Sequence, residues 1–364
     1  MRQITVELGE RSYPIYIGDG ILERIGEFFE ARSIYKHSPV LIITDEHVAV
    51  QHLDRVSLYL KHAGYNVLVK IVPPGERSKS LVVLEDVIGA ALQSGLDRQS
   101  TIIALGGGVV GDLAGFVAAS YMRGIRFVQI ATTIQAHDSS VGGKVGVNHP
   151  LAKNIIGAFH QPELVIFDIS TLRTLPEREI RSGLSEVLKE GLIWDADFVA
   201  WCDQNTEALL ALNSDALQHA LYEGIRIKAN VVSLDEREND MRAILNLGHT
   251  IGHALEAVAG YNKLLHGEAI SIGMVGAAKL AVRLGSPEIV YIETKRLLTN
   301  LGLPVRLPEH LDTDEIMSAM MHDKKFKEGQ MVFVLPTAIG TVEIRKGVQA
   351  EIVREVLTEL KREV

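Results

Sequence analysis

The sequence predicts an α/β N-terminal domain with a Rossmann-like, mostly parallel sheet, followed by a mainly α-helical C-terminal domain. Up to about residue 170, short apolar runs rich in β-branched residues alternate with helix-length stretches, the rhythm of β-α-β units. Beyond TLRTLPERE (171–179), Leu, Ala, Glu and Ile recur at helical spacing almost to the end. A chain of 364 residues also exceeds one simple core and fits two domains of ordinary size with a cleft between them. We place them at 1–170 and 171–364.

Taken in order, ITVELG and YPIYIG alternate in the manner of paired strands, and VLIITD (40–45) and VLVKIV (67–72) are short apolar runs separated by a helix-length stretch. A helix from about Lys79 to Ser94 leads into TIIALGGG (101–108), a buried strand ending in glycine. A Gly- and Ala-rich helix follows, then RFVQIATT (126–133), a loop rich in Gly, Asp and Ser, and ELVIFD (163–168). In the helical half, MVFVLPTAIGTVEI (331–344) reads as a small hairpin and VREVLTELKREV as an amphipathic helix.

Composition narrows the functional classes. Hydrophobic residues make up 47% and charged residues 23%, and no apolar stretch reaches the 18 residues a membrane helix needs. The N-terminal MRQITVELGE lacks the apolar core of a signal peptide. A cytoplasmic protein with no membrane partner is expected. Cys202 is the single cysteine, so an intrachain disulfide and a Cys-rich zinc site are both excluded, and a transition metal would fall to His and carboxylate. The formal charge of −9 argues against nucleic acid as a partner, although local basic clusters remain able to hold a small anion.

Several motifs carry chemistry. GGGVVGD (106–112) follows a strand and opens a helix, which puts backbone N–H groups where a pyrophosphate binds. It satisfies GxGxxG through Gly106, Gly108 and Gly111, yet it is not the first β-α turn, and such turns also serve tight packing alone. PPGERSKS (73–80) adds a second Gly-containing turn ahead of a helix, with Glu76 and Lys79 one turn apart. Arg242, Asn246, His249 and His253 fall at i, i+4, i+7 and i+11, one face of one expected helix. The apolar neighbours Leu245, Leu247, Ile251, Ala254 and Leu255 argue that this helix packs into protein, and His266 follows in LHGEA. His-His-carboxylate is a common catalytic zinc set. Spacing alone leaves open whether the carboxylate is Glu186, Glu256 or Glu268, and whether His249 is joined by His253 or His266. DSSVGGKVGVNHPLAKN (138–154) reads as a long polar loop whose lysines and glycines suit an anionic substrate. Lys228, Arg242 and the Lys324–Lys325 pair would add charge for the same ligand.

GGGVVGDLAGFVAASYMRGI, TTIQAHDSSVGGK, KNIIGAFHQP, TLRTLPERE, SEVLKEGLIWD, LNLGHTIGHALE and LHGEAISIGM occur in this order. Together they resemble the 3-dehydroquinate synthase family, over about residues 40 to 340. The resemblance implies a zinc ion, or cobalt in its place, held by Glu186, His249 and His266. It implies NAD along Gly107, Gly108, Val109 and Asp112, also touched by Asp45, Glu76, Lys79, Thr132, Thr133, Lys144, Lys153, Thr171 and Thr174. Substrate contacts carried over are Asp138, Lys144, Lys153, Asn154, Lys189, Lys228, Arg242, Asn246 and His253, with one of Lys324 and Lys325. Arg123 would reach a neighbouring subunit's site in the homodimer that the family implies. Two positions depart from the family pattern: Ala152 stands where Gly is common before Lys-Asn, and Ala131 where Pro is common before Thr-Thr.

The implied reaction converts a sugar-acid phosphate, 3-deoxy-arabino-heptulosonate 7-phosphate, to 3-dehydroquinate and phosphate. It runs through transient NAD oxidation of substrate, phosphate elimination, re-reduction, ring opening and intramolecular aldol closure. In that scheme Lys144, Asn154, Asn246 and His253 hold the phosphate, Lys228 and Arg242 the carboxylate, and Asp138 and Lys189 the hydroxyls near the metal. Both halves supply groups, so domain closure is expected. Two rivals are a related sugar-phosphate cyclase with a carboxylate-free substrate and a metal-dependent polyol dehydrogenase. The first is disfavoured by Lys228 with Arg242, which would be left as buried unpaired cations. A non-catalytic relative with structural zinc is a third reading, against which stands the presence of every candidate ligand.

Overall fold

A computed structural model describes residues 1–238, 241–260, 263–322 and 331–362. The chain divides into two compact units, Met1–Leu175 with Leu217–Arg237, and Pro176–Ala216 with Glu238–Val364. The division after Leu175 lies beside the expected one after residue 170, and a second crossing hands the segment Leu217–Arg237 to the first unit. Among the described residues no helix is long and apolar enough to cross a membrane.

The first unit is built on a seven-stranded sheet of order β1-β2-β9-β6-β5-β3-β4. Its strands are β1 (Arg2–Val6), β2 (Tyr13–Gly18), β3 (Val40–Asp45), β4 (Val67–Val72), β5 (Thr101–Gly106), β6 (Arg126–Ala131) and β9 (Leu164–Asp168). Only the β1–β2 pair is antiparallel; the other pairs run parallel. Side chains alternate between faces, so Leu41, Ile43, Ile102, Ala104 and Phe127 join one core, and Val40, Ile42, Ile103, Leu105, Val128 and Ile130 join the other. The first core is completed by Leu84 and Val87 of α1 (Leu81–Gln93) and by Val110, Leu113 and Val117 of α2 (Gly108–Ser120). Full burial of each such side chain contributes about 1.5–3 kcal/mol.

The stretch read as a long polar loop is in fact mostly a β-hairpin, β7 (Lys144–His149) with β8 (Ala152–Phe159), paired from Lys144–Phe159 to His149–Ala152. Val145 and Val147 turn into the α2 core, an alternation that the polar residues around them mask. Gly146 and Gly157 let the two strands approach closely, since a Cβ on Gly146 would lie 3.0 Å from the Gly157 Cα.

In the second unit the elements that matter are α3 (Glu177–Trp194), α5 (His249–Ala259) and α6 (His266–Arg283), while α4 (Ser214–Leu234) passes from this unit into the first. The strands β10 (Val332–Ala338) and β11 (Thr341–Lys346) form the expected hairpin. The helix expected to carry Arg242, Asn246, His249 and His253 together is broken. Met241–Asn246 is a short 3-10 segment, and α5 starts only after Gly248, whose φ is 80°. Gly248 is required on two counts: that backbone region favours glycine, and a Cβ there would lie 2.8 Å from the Ile270 carbonyl oxygen and 2.7 Å from Met274. Other close approaches fix the neighbours. A Cβ on Gly273 of α6 would strike the Gly248 carbonyl, and one on Gly267 would strike the Ser182 carbonyl of α3. The three helices therefore meet at backbone distance, with Glu186, His249 and His266 at the meeting.

Candidate active site

In the second unit, Glu186 is fully buried on α3, while His249 and His266 stand as the first residues of α5 and α6. His266 Nε2 lies 3.4 Å from Glu186 Oε1, and His249 Nε2 lies 3.8 Å from the same oxygen. Each imidazole is held from behind: His249 Nδ1 meets the Leu247 carbonyl at 3.1 Å, and His266 Nδ1 meets Glu256 Oε2 at 3.1 Å. A neutral imidazole that gives its Nδ1–H to a carbonyl or carboxylate presents Nε2 as a lone pair. Within this unit two overlapping groups have ligand atoms within 4.8 Å of one another, Glu186 with His249 and His266, and His253 with Glu256 and His266. The chemistry of a closed His-His-carboxylate face fits the first group, in which both Nε2 atoms converge on one carboxylate. Glu268 is otherwise engaged, taking Arg178 Nε and Nη2 at 2.6 Å each and capping its own helix at the Leu265 N–H.

Around this group, Lys189 is fully buried with its ammonium 2.5 Å from Glu186 Oε2 and 3.4 Å from Glu190 Oε1. The His253 ring centroid stands 5.2 Å from that of His249 and 5.9 Å from that of His266. Asn246 Nδ2 donates to Glu238 Oε1 at 3.1 Å, and Arg242 is buried in the 3-10 segment. Burial lowers the His266 imidazole, but the Glu256 and Glu186 carboxylates prevail and raise it to about 10.

In the first unit the glycine-rich turn joins β5 to α2. Gly107, Gly108 and Gly111 are needed for close approach: a Cβ would lie 2.9 Å from Thr133 at Gly107, 2.9 Å from Ser139 at Gly108, and would meet the Gln129 amide at Gly111. No side chain caps the α2 N-terminus, so its first-turn N–H groups suit a pyrophosphate. Val109 lies in that turn, and Asp112 one turn further takes Lys79 Nζ at 2.6 Å. Lys79 also donates to Asn154 Oδ1 at 2.5 Å. Burial pushes the Asp112 carboxyl up against the pull of Lys79. Glu76 accepts from Asn148 Nδ2 at 2.8 Å and lies 3.9 Å from Lys153. Asn148, which sequence reasoning passed over, also accepts from the Asn154 N–H at 2.9 Å and so ties the hairpin to the Glu76 turn. Lys144 is exposed at the start of β7.

Lys228 on α4 pairs with Asp138 Oδ1 at 2.8 Å and also donates to the Asp138 carbonyl, so two expected substrate contacts hold each other. Asp45 caps the helix that follows β3 through the His47 and Val48 N–H groups. The Thr133 hydroxyl accepts from the Ala136 N–H at 3.2 Å. Thr132 is buried, with its N–H on the Gly106 carbonyl at 3.1 Å. Thr171 is fully buried with its hydroxyl on the Asp168 carbonyl at 2.8 Å, while Thr174 meets His52 Nε2 at 3.0 Å. Arg123 is exposed, at a φ of 68° in the turn after α2. Lys324 and Lys325 lie outside the described residues.

Two family models match adjoining parts of the chain. The 3-dehydroquinate synthase N-terminal model matches residues 69–182 and the C-terminal model residues 183–326. The chain belongs to the 3-dehydroquinate synthase family. A curated 3-dehydroquinate synthase from Desulforamulus reducens is 49% identical over 361 residues, covering 99% of this chain and all of that protein. The reaction is accordingly the lyase reaction of the 3-dehydroquinate synthase family, in which the heptulosonate phosphate yields 3-dehydroquinate and phosphate. Among solved structures, a 2-deoxy-scyllo-inosose synthase complexed with carbaglucose-6-phosphate, NAD+ and Co2+ is 27% identical, with a TM-score of 0.90 over 98% of this chain and 99% of the other. A 2-epi-5-epi-valiolone synthase from Streptomyces hygroscopicus subsp. jinggangensis 5008, with NAD+ and Zn2+ bound, is 26% identical, with a TM-score of 0.87 over 97% and 98%. These likenesses bear out the expected α/β and helical halves.

Besides Asn148, sequence reasoning passed over Glu190 and Glu238. Glu190 lies within SEVLKEGLIWD but was given no role there, and Glu238 stands in no motif. Only the folded chain shows their carboxylates meeting Lys189 and Asn246.

Proposed function

We propose that Glu186, His249 and His266 hold the divalent metal, zinc or cobalt, of the 3-dehydroquinate synthase reaction in this chain. The observation that carries this reading is the convergence of both Nε2 atoms on one Glu186 oxygen, each ring tied back through Nδ1. Glu256 then orients His266 and is not a ligand. His253, beside both rings, belongs to the substrate's phosphate together with Asn246, and Lys189 to a substrate hydroxyl near the metal. Arg242 serves the substrate carboxylate, as does Lys228 once the substrate replaces Asp138 as its partner.

NAD belongs at the β5–α2 turn, where Gly107, Gly108 and Val109 offer backbone N–H groups and Asp112, Lys79 and Glu76 form a fixed rim. When bound, NAD takes and returns a hydride while the metal acidifies the substrate hydroxyl. The neighbouring solved cyclases, with NAD+ and Co2+ or Zn2+, support this pair of cofactors. Lys153 and Asn154 on the hairpin line the same part of the first unit as Glu76 and Lys79, and the exposed Lys144 at the start of β7 joins them as a contact for the anionic ligand.

Substitution E186Q tests the ligand set. Even an orienting partner costs about 10–100-fold in metal affinity, so loss of a ligand should cost at least about 100-fold in zinc binding by chelator competition, with NAD binding kept. Undiminished zinc binding would defeat the assignment.

The same reading includes a homodimer, to which the exposed Arg123 would contribute, working in the cytoplasm with neither nucleic acid nor membrane as partner. The net charge of −9 supports the part concerning nucleic acid, and the single, buried Cys202 the part concerning a reducing compartment. A monomer in sedimentation velocity would contradict the dimer.

A further inference from the structure

We propose that Asn148 is a positioning residue that holds Asn154, and with it Lys153, in the conformation that meets the anionic substrate. The inference rests on the reading that Asn154 contacts the substrate's phosphate. Asn148 lies on β7 and Asn154 on β8, where the ladder between the two strands slips. Val147 and His149 are two residues apart, whereas their partners Ile156 and Ala152 are four apart, so Lys153, Asn154 and Ile155 bulge out of regular pairing opposite Asn148. A bulge re-aims side chains and is common beside active sites. Here Lys153 Nζ comes to 3.9 Å from Glu76 Oε1, and Asn154 Oδ1 to 2.5 Å from Lys79 Nζ.

The bulge has a backbone cost. Asn154 stands at a φ of 53°, in the left-handed region that a residue with a side chain keeps only where its surroundings over-determine it. Asn148 contributes to that through three hydrogen bonds. Its Oδ1 accepts the Asn154 N–H at 2.9 Å, its Nδ2 donates to Glu76 Oε2 at 2.8 Å, and its own N–H donates to the Lys79 carbonyl at 2.8 Å. The orientation of the amide follows from chemistry: a backbone N–H donates and a carboxylate accepts, so the side chain must turn its oxygen to Asn154 and its NH2 to Glu76. One side chain thus ties the strained residue to the same Glu76–Lys79 turn that Lys153 and Asn154 reach with their own side chains. Without it the bulge is free to relax, and Asn154 turns away from Lys79 and from a phosphate bound there.

The test is turnover of 3-deoxy-arabino-heptulosonate 7-phosphate by the zinc-loaded protein at saturating NAD, in N148A, N148D, N154A and the double variant N148A/N154A. N148A should lower kcat/KM about 10-fold, as loss of one such hydrogen bond does, with Tm and zinc affinity close to the parent's. N148D, whose side-chain oxygen still accepts the Asn154 N–H, should regain most of that loss. In the N154A background N148A should cost less than about 2-fold, because a residue that acts through Asn154 then has little left to act on. Undiminished kcat/KM in N148A would overturn the proposal, as would equal loss in N148A and N148D, or a full further loss in the N154A background. N148A protein that fails to fold would overturn it too, because that result assigns Asn148 to the fold alone. Failure of the underlying reading would be seen separately, as kcat/KM unchanged in N154A.

Discussion

His266 stands between two carboxylates, Glu256 at Nδ1 and Glu186 at Nε2, which raise its imidazole from an ordinary 6.5 to about 10 against the effect of burial. A histidine raised in the folded state stabilises it fully below about pH 6.5, and that contribution is lost as pH rises through about 10. At pH 7 it therefore holds a proton that a metal bound at the proposed ligand set would displace. Zinc uptake by EDTA-treated protein is expected to release about one proton per ion at pH 7, with affinity rising as pH rises. Calorimetry in buffers of different ionisation enthalpy measures this, and uptake with no proton released would contradict it. At this scale the sequence is legible only in part. The histidines stand out because two of them sit among apolar neighbours, but their spacing leaves Glu186, Glu256 and Glu268 equal. What separates them is three-dimensional: Glu268 faces Arg178, Glu256 faces Nδ1 of His266, and only Glu186 is faced by Nε2 from both rings.

The convergence of Glu186, His249 and His266, and with it the proposed metal centre, depends on how closely α3, α5 and α6 approach, and that approach depends on missing side chains. Gly273 packs against the Gly248 carbonyl and Gly267 against the Ser182 carbonyl. Gly273→Ala forces a methyl group into backbone that cannot rotate away, and overpacking of this kind costs about 1–3 kcal/mol or more. We expect a lower Tm and weaker zinc binding together, since the same displacement separates His249 and His266. A drop in Tm with zinc affinity intact would show that the helix approach does not set the ligand geometry. Strands β3, β4, β5, β6 and β9 can be read from the sequence because their apolar runs are short and bounded by turn residues. The break before α5 cannot, because a face drawn through Arg242, Asn246, His249 and His253 assumes helical rise across Gly248, which its positive φ denies. The β7–β8 hairpin escapes for a related reason: Val145 and Val147 are its core contacts, and glycine and polar residues on both sides dilute their alternation.

For the whole molecule, the two units offer different chemistry. The parallel sheet of the first unit has a glycine-rich turn at a strand's C-terminal end, the place where open α/β sheets bind ligands, and the helical unit has the His-His-carboxylate face proposed for the metal. Seven ordered motifs make the family legible in the amino-acid sequence alone, whereas the passage of α4 from the second unit to the first, which brings Lys228 to Asp138, has no sequence signal. The central claim is that hydride leaves and returns within one turnover, so that both cofactors are needed and neither is consumed. The most direct test is phosphate release from 3-deoxy-arabino-heptulosonate 7-phosphate by the zinc-loaded protein, with NADH absorbance followed at the same time. Phosphate release that requires both NAD and zinc, with no net accumulation of NADH, is the expected result; steady NADH accumulation, or release that persists without NAD, would contradict the claim.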